Sequence, residues 1–256
     1  MGIDGAQMFA RYAYPPNALG YCGPDDSDAL LHYGATGVTD QGLRQLAQGF
    51  EGAWPYLELI AMGANIADPL DRRVVESYWV GTALLDTIGF TKIGNSMEDR
   101  FRARLGRQFP NIIDGVEAGG VPHHNFHVLH VTPWLGVMHS PRKVPTAVAA
   151  LDRCRVRWGR VESVHGDTAL VRFRPLVWDG FALALGEPEL ETARLAVDGT
   201  GFLTELVQGD VVSMHWDWIC DRLTPAQLQQ LRSHTERHLK IANNKLREHR
   251  TPLAVE

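Results

Sequence analysis

Residues 154–173 read CRVRWGRVESVHGDTALVRF and have the pattern of two β-strands joined by a tight turn. Val156 and Trp158 alternate with arginines, which is the period-two pattern of a half-buried strand. His165, Gly166 and Asp167 form a turn signal, and β-branched and aromatic residues follow them. This stretch therefore marks the start of a β-rich half of the chain.

The remainder of the C-terminal half continues in the same way. Further short apolar runs follow, each bounded by Gly, Asp or Pro, and strands at this spacing favour a small closed barrel that leaves no edge unpaired. Thr224 and Pro225 then form a helix start, after which apolar residues recur every three or four positions as far as Leu246. We expect a small OB-like β-barrel with a C-terminal helix within residues 150–256.

The N-terminal half has a helical period instead. Apolar residues recur every three or four positions in several segments of residues 25–108, including the charged segment NSMEDRFRARLG at 95–106. None of these helices is long enough to be stable alone, so we expect them to pack on each other. The predicted fold class is α+β: an all-α domain of unknown role over residues 1–145, followed by the barrel.

Composition excludes several classes of function. The chain has 256 residues with 45% hydrophobic and 21% charged residues, and its formal net charge of −5 argues against a nucleic-acid binder. No apolar run approaches the ~20 residues that a membrane span needs, and the N-terminus has no secretory pattern. Cys22, Cys154 and Cys220 are too few for a disulfide framework. We expect a cytoplasmic protein without nucleic-acid or membrane partners.

One histidine stands out in the stretch GDVVSMHWDWICDRL, residues 209–223. If residues 211–218 form one strand, His215 lies on the face opposite Met214, Trp216 and Trp218 and points away from the apolar side. Cys220 lies on the apolar side and is expected in the core, whereas Cys22 lies in a turn-rich segment. This histidine is therefore a candidate functional residue.

The barrel half resembles a known family, the small HypC/HupF-type chaperones that mature [NiFe]-hydrogenases. Two signatures carry the resemblance, one at each end of the predicted barrel. The first consists of Cys154, Gly159, Arg160, Val161, Gly166, Asp167 and Thr168. The second consists of Gly209, Asp210, His215 and Leu223. The resemblance covers about residues 154–235, and the N-terminal half resembles no family that we know.

This resemblance implies a non-enzymatic maturation chaperone without a stable organic cofactor. Such a chaperone carries an Fe(CN)2(CO) fragment, assembled with a HypD-type scaffold protein, to the immature hydrogenase large subunit. Cys154 would bind the iron as thiolate, the soft ligand that such iron prefers, and His215 would be a second ligand or a supporting group. Arg153, Arg155 and Arg157 are expected to lower the pKa of that thiol and to attract the anionic cyanides.

The sequence departs from the family in three respects. Cys154 is internal, whereas the family's cysteine becomes the N-terminal residue, so a free α-amino group beside the thiol is lost. Trp158 stands where the family usually carries proline. About twenty additional residues are expected over 176–205.

A rival site lies in PHHNFHVLHVTPW, residues 122–134. Its β-branched residues and flanking prolines favour a strand, which would place His123 and His127 on one face and His124 and His130 on the other. A helix would instead align His123, His127 and His130. A metal-dependent enzyme using the histidines of 123–130, chiefly His123 and His127, is therefore the alternative function. A third possibility is an interaction protein without cargo.

Overall fold

The computed structural model describes residues 3–88, 114–132, 134–138 and 140–248. The expected charged helix at 95–106 lies outside these residues. Within them the chain has helices first, then a strand-rich region and a C-terminal helix, so the predicted α+β class is confirmed. None of the helices in this part of the chain is both long and apolar enough to cross a membrane.

The N-terminal half is built around a central buried helix. Its helices are α1 (Gly5–Ala18), α2 (Ser27–Thr36), α3 (Gln41–Gln48), α4 (Trp54–Gly63) and α5 (Arg72–Trp79), followed by a 3-10 helix at Ala83–Thr87. Helix α1 is buried along nearly its whole length, and Phe9 and Tyr12 are fully enclosed. An α-helix that is apolar on all sides needs partners on all sides, and α2, α5 and the barrel surround it.

The histidine-rich segment is helical, so the expected strand is wrong. It forms a short helix α6 (His124–Phe126) that continues as a π-helix at His127–Val131. The His123 side chain caps it, because Nδ1 accepts the Asn125 N–H at 3.0 Å. The segment is enclosed on several sides, and a helix directs side chains all round its axis, whereas a strand has two faces. Packing thus overrides the strand propensity of its valines.

Helix α7 (Val144–Cys154) leads directly into the barrel. Cys154 is therefore the last residue of a helix, whereas the sequence suggested a strand start. Strands β1 (Arg157–His165) and β2 (Thr168–Phe173) form the expected hairpin, with His165 opposite Thr168 across the turn. Gly159 faces Val171 so closely that a Cβ at this position would clash with the valine side chain.

The barrel closes with five strands. The remaining strands are β3 (Leu176–Trp178), β4 (Leu183–Leu185), β5 (Glu189–Arg194), β6 (Ala196–Val197), β7 (Thr200–Gly201), β8 (Val211–His215) and β9 (Trp218–Arg222). The closed order is β1-β2-β5-β9-β8, so the expected OB-like barrel is present. The separate hairpins β3–β4 and β6–β7 lie within 176–205, where additional residues were expected. Helix α8 (Pro225–Glu248) ends the described chain.

The second signature forms a hairpin, so the expectation of one strand over residues 211–218 is wrong. The chain turns at Trp216, which has a φ of 55°, and His215 pairs with Trp218 of the returning strand. His215 is 1% exposed, which also contradicts the expectation that it points away from the core. His215 faces α1 of the helical half, where its Nδ1 is hydrogen-bonded to the carbonyl of Tyr12.

A continuous apolar core joins the two halves. Val156, Trp218 and Cys220 belong to the same buried cluster as the side chains of α1, α4 and α5. Cys220 is fully buried, as its position in the strand predicts. The hydroxyl groups of Tyr12 and Ser213 are 2.7 Å apart and hydrogen-bonded, which fixes α1 against β8. The interface between helices and barrel is therefore well packed, and the site described next lies in it.

Candidate metal centre

Three potential metal ligands meet where α6, α7 and β8 come together. One donor atom each from His124, Cys154 and His215 lies within 4.8 Å of the other two. Zinc-type ions bind nitrogen at about 2.0 Å and sulfur at about 2.3 Å, so inward movements on the order of 1 Å would bring all three donors into contact with one ion. The structure thus brings Cys154 and His215 together and adds His124.

Cys154 is held in place by an ionic network at the end of α7. Asp152 Oδ1 accepts hydrogen bonds from Arg155 Nε at 3.1 Å and Nη2 at 2.8 Å, and from the backbone N–H of Leu176 at 2.8 Å. Arg155 also donates to the carbonyl of Arg174 at 3.0 Å. These bonds tie the helix end to the first strand of the β3–β4 hairpin, so the backbone that carries the thiol is fixed.

The expected effect of the arginines on this thiol is wrong. Arg155 and Arg157 are both 1% exposed, but Asp152 and Glu191 neutralise them, and Arg153 is exposed to solvent. Burial instead raises the pKa of Cys154 to about 12. A metal must therefore displace the thiol proton when it binds.

His215 presents a free lone pair. Its Nδ1 donates to the backbone carbonyl of Tyr12 at 2.7 Å, so the neutral ring carries its lone pair on Nε2. Nε2 is buried and has no hydrogen-bond partner among the described residues. Burial also lowers the pKa of His215 to about 4, so the ring is neutral near pH 7. A buried imidazole nitrogen without a partner is suited to a ligand.

His124 is oriented in a similar way. Its Nε2 donates to the backbone carbonyl of Cys154 at 2.8 Å, which leaves the lone pair on Nδ1. The hydroxyl of Tyr78 lies 3.2 Å from that Nδ1 and 3.3 Å from the carbonyl of Gly52, which offers it an alternative acceptor. Burial, reinforced by the neighbouring His215, lowers the pKa of His124 well below its ordinary value. Both rings are therefore neutral and aligned by backbone carbonyls.

The three donors line a cavity of about 470 Å³. Phe50, Tyr78 and Trp79 contribute apolar wall, and the loop at 21–24 also lines the cavity. The indole Nε1 of Trp79 is buried and has no hydrogen-bond partner in the described part of the chain. The cavity leaves room for additional ligands on a metal held by the three side chains.

The structure separates the two histidines of the rival site. His127 lines the same cavity, with its Nδ1 3.4 Å from the hydroxyl of Tyr56. His123 instead belongs to what we name the histidine cluster, formed by His123, His130, His234 and His238. In that cluster the ring centroids of His123 lie 5.2 Å from His234 and 5.6 Å from His238. His123 and His127 therefore lie in different surroundings.

Sequence reasoning missed His124. It stands among four histidines within eight residues, and the strand hypothesis paired it with His130. In the structure His130 donates from Nε2 to the carbonyl of His238, within the histidine cluster. A helical interpretation of 122–134 would have been needed, and even that aligns His123, His127 and His130. Nothing in the local pattern distinguishes His124 from its neighbours.

The fold and the site define a protein with an OB-like barrel, a helical half and a thiol–imidazole donor set at their interface. The chain belongs to a family of unknown function, DUF6390, whose model matches residues 1–249 and so covers both halves. Neither a curated protein nor a solved structure significantly matches the chain.

Proposed function

We propose that this protein is a [NiFe]-hydrogenase maturation chaperone that carries an Fe(CN)2(CO) fragment on Cys154, His215 and His124. The single observation that supports the proposal best is the convergence of these donors within 4.8 Å. Cys154 and His215 were selected from the two sequence signatures alone, sixty-one positions apart in the chain. Their meeting at one cavity is what a shared cargo requires.

The donor set suits the chemistry of the fragment. Six-coordinate iron that carries two cyanides and one carbon monoxide has three positions left, and one thiolate with two imidazoles fills them. Thiolate is the soft ligand that such iron favours. Because Cys154 is internal, no free α-amino group accompanies its thiol. In our proposal His124 supplies the third donor instead.

The cavity suits the diatomic ligands. Its apolar wall at Phe50 and Trp79 accommodates carbon monoxide, which accepts hydrogen bonds poorly. Cyanide is anionic and accepts hydrogen bonds at nitrogen, for which the unpartnered indole N–H of Trp79 is a buried donor. With His124, Cys154 and His215 alone as ligands, the cargo also stays releasable, since no fully closed protein cage surrounds it.

The proposal includes partners and a compartment. A HypD-type scaffold would supply the fragment and the immature large subunit of a [NiFe]-hydrogenase would receive it, so the protein is a carrier and not an enzyme. We place it in the cytoplasm, where thiols stay reduced. Cys22, Cys154 and Cys220 are all free, which is consistent with that placement. In this proposal the helical half supplies much of the cavity wall around the three donors.

Infrared spectroscopy tests this function directly. The protein is purified anaerobically from cells that also produce the hydrogenase maturation proteins, and the cyanide and carbonyl stretching region is recorded. We expect bands in the wild type, loss of these bands in Cys154→Ala, and retention in His130→Phe, which alters the histidine cluster only. Absence of bands in the wild type, or their persistence in Cys154→Ala, would contradict the proposal.

A metal-dependent enzyme is the second candidate. Three protein ligands facing an open cavity are also the arrangement of catalytic zinc sites. His127 and Glu51 line the same cavity and are candidate proton-transfer groups. This function predicts a stoichiometric divalent metal without cyanide or carbonyl bands. Binding of neither cargo nor metal would leave the third possibility, an interaction protein without cargo.

A further inference from the structure

A short loop places a second thiol beside the metal centre. Residues 19–26 join α1 to α2, and Tyr21, Cys22, Gly23 and Pro24 of this loop line the cavity that holds the three donors. Cys22 is exposed, whereas Cys154 is half-buried. Cys22 is not in the group of ligand atoms that lie within 4.8 Å of one another. The cavity therefore has thiols at two depths.

The loop is fixed on its inner side. Asn17 is 8% exposed, and its Nδ2 donates to the carbonyls of Cys22 at 2.7 Å and Pro24 at 2.6 Å. Gly23 has a φ of +81°, and its Cα faces the ring of Phe50 so closely that a side chain would clash. Both features position the loop, so the place of Cys22 beside the cavity is built into the fold.

The loop is also connected to the strand that carries His215. The ring of Tyr21 stacks on Trp216 with centroids 4.4 Å apart and an interplanar angle of 12°. Trp216 directly follows His215, whose Nε2 is buried and without a partner among the described residues. Cys22 is also close enough to Cys154 to contribute, after burial, to raising the pKa of that thiol. The exposed thiol of Cys22, the half-buried thiol of Cys154 and the unpartnered imidazole of His215 therefore belong to one site.

We propose that Cys22 is a transfer ligand, which takes a thiolate-bound metal fragment at the cavity mouth and passes it to Cys154, His124 and His215. This inference rests on the proposed function, because it requires that the deep donors hold the cargo. It adds a kinetic role for a residue that lies outside both sequence signatures. In this proposal the cargo arrives and leaves as a thiolate complex.

The transfer is a ligand exchange without oxidation or reduction. Burial raises the pKa of Cys22, so its sulfur bonds to the metal as a thiol that gives its proton to the partner's thiolate, whose bond to the metal breaks. The Cys154 sulfur then bonds to the metal and gives up its proton, and the bond between the metal and Cys22 breaks. The Cys22 thiolate takes up that proton, so atoms, charge and oxidation state balance. The reverse sequence delivers the cargo.

Continuous thiolate coordination is the physical advantage of this arrangement. A soft metal that leaves one thiolate before meeting the next would pass through a state with weaker, harder ligands such as water. An exposed thiol can reach a partner's complex, whereas the half-buried Cys154 is less accessible. Cys22 therefore lowers the barrier to exchange without changing the final affinity of the deep site.

Stopped-flow uptake of cobalt(II) tests this proposal. The metal-free full chain is mixed anaerobically with a cobalt(II)–mercaptoethanol complex, and the thiolate-to-cobalt absorption is followed. We expect Cys22→Ser to take up cobalt at least about 10-fold more slowly than the wild type and to reach the same final spectrum. Leu19→Ser is the matched control, since Leu19 is 50% exposed in the same loop and does not line the cavity. It should leave the rate unchanged.

Other results would contradict either the transfer role of Cys22 or the deep site. An unchanged rate in Cys22→Ser rejects the transfer role, and a reduced final absorption makes Cys22 a resident ligand instead. Circular dichroism checks the fold of each variant, and alkylation of Cys22 in the folded wild type provides the same comparison without a substitution. Cys154→Ala separates the two proposals, because a final spectrum like that of the wild type in this variant would refute the deep site itself.

Discussion

Two histidine-rich regions lie close together in this protein, and in one of them two histidines and a cysteine bring their donor atoms within 4.8 Å of one another. In the metal centre, the rings of His124 and His215 are 4.9 Å apart at 78° and meet the thiol of Cys154 beside a cavity. In the histidine cluster, the rings of His123 and His234 stack at 16°. Both regions are buried, so burial and histidine content do not distinguish them.

The difference lies in the convergence of donor atoms of different residue types. In the metal centre, one nitrogen of each ring donates to a backbone carbonyl, and one nitrogen of each ring lies within 4.8 Å of the thiol sulfur. Lone pairs lie in the plane of an imidazole ring, so the stacked rings of His123 and His234 do not direct theirs at a common point. His123 and His124 are adjacent in sequence yet belong to different regions, because His123 is the extended N-cap residue of α6 and His124 is its first helical residue. Convergence of donors, not their number, makes the site.

Substituting residues in each region in turn tests most strongly whether the two regions differ in metal binding. Cys154→Ala should weaken cobalt(II) binding at least about 1,000-fold, equivalent to about 4 kcal/mol, because it deletes the thiolate. His124→Ala and His215→Ala should weaken it by at least about 100-fold. Anaerobic titration with competing chelators measures these constants.

His130→Phe is the control for that experiment, since it replaces a buried imidazole of the histidine cluster. Its affinity for cobalt(II) should stay within about 3-fold of the wild-type value. Equal losses in His130→Phe and Cys154→Ala would show that the two regions act together and would refute the distinction between them.

Asn125 tests how the boundary between the two regions is fixed. Its Oδ1 accepts the backbone N–H of Val156 at 2.9 Å and its Nδ2 donates to Thr235 Oγ1 at 2.9 Å, in a fully buried setting. Asn125→Ala leaves that N–H unsatisfied, so we expect the free energy of unfolding to fall by about 2–3 kcal/mol. Urea denaturation of the metal-free protein measures it.

Asn243→Ala provides the comparison, because Asn243 also forms two hydrogen bonds, with the N–H and the carbonyl of Leu183, at a less buried position. It should cost about 1 kcal/mol and leave cobalt(II) affinity unchanged, whereas Asn125→Ala should weaken that affinity. Identical effects of the two substitutions on stability and on cobalt(II) affinity would show that Asn125 does not position His124.

Lowering the pH should decrease the stability of the folded protein over a defined pH range, because of the histidine cluster. Burial lowers the pKa of His130 to about 4, below the ordinary value of about 6.5. Between these values the unfolded chain is protonated and the folded protein is not, so stability falls as the pH decreases from 6.5 to 4. His130 alone contributes a loss of up to about 3 kcal/mol. Denaturation of the metal-free protein across this range measures the slope.

His130→Phe should flatten that slope, because Phe takes up no proton in the unfolded chain. Charged groups near the ring matter as well, and Lys245 reinforces the lowered pKa of His130. A slope that is the same in the wild type and in His130→Phe would show that this histidine is not kept neutral by the fold.

Tyr78→Phe should have the smallest effect. The Tyr78 hydroxyl occupies the lone pair of His124 at 3.2 Å and must turn to the carbonyl of Gly52 when a metal binds. Removing it should tighten cobalt(II) binding by about 2- to 5-fold. Weaker binding in Tyr78→Phe would mean that the hydroxyl supports the metal and does not compete with it.

Much of the fold follows from local sequence patterns. Alternation of apolar and charged residues together with the turn at Gly166 predicted the first hairpin, and Thr224–Pro225 predicted the start of the last helix. The turn at Trp216 was not predictable, because a positive φ is rare for a bulky residue. The stacking of Trp216 on Tyr21 and the hydrogen bond from its backbone N–H to the carbonyl of Arg153 stabilise it there.

The site was predictable only in part. The two signatures selected Cys154 and His215, but His124 depends on a helix that packing imposes on a strand-like sequence. The charge balance around the thiol was equally hidden, since Glu191 pairs with Arg157 across thirty-four positions. Such long-range pairs follow from the barrel's closure and not from local spacing.

X-ray absorption spectroscopy of the cobalt(II)-loaded protein tests the central claim most directly. If His124, Cys154 and His215 hold the metal, the spectrum will show one sulfur at about 2.3 Å and two imidazole ligands. Cys154→Ala will lose the sulfur contribution. A first shell of nitrogen and oxygen only, as metal bound in the histidine cluster would give, would contradict the account.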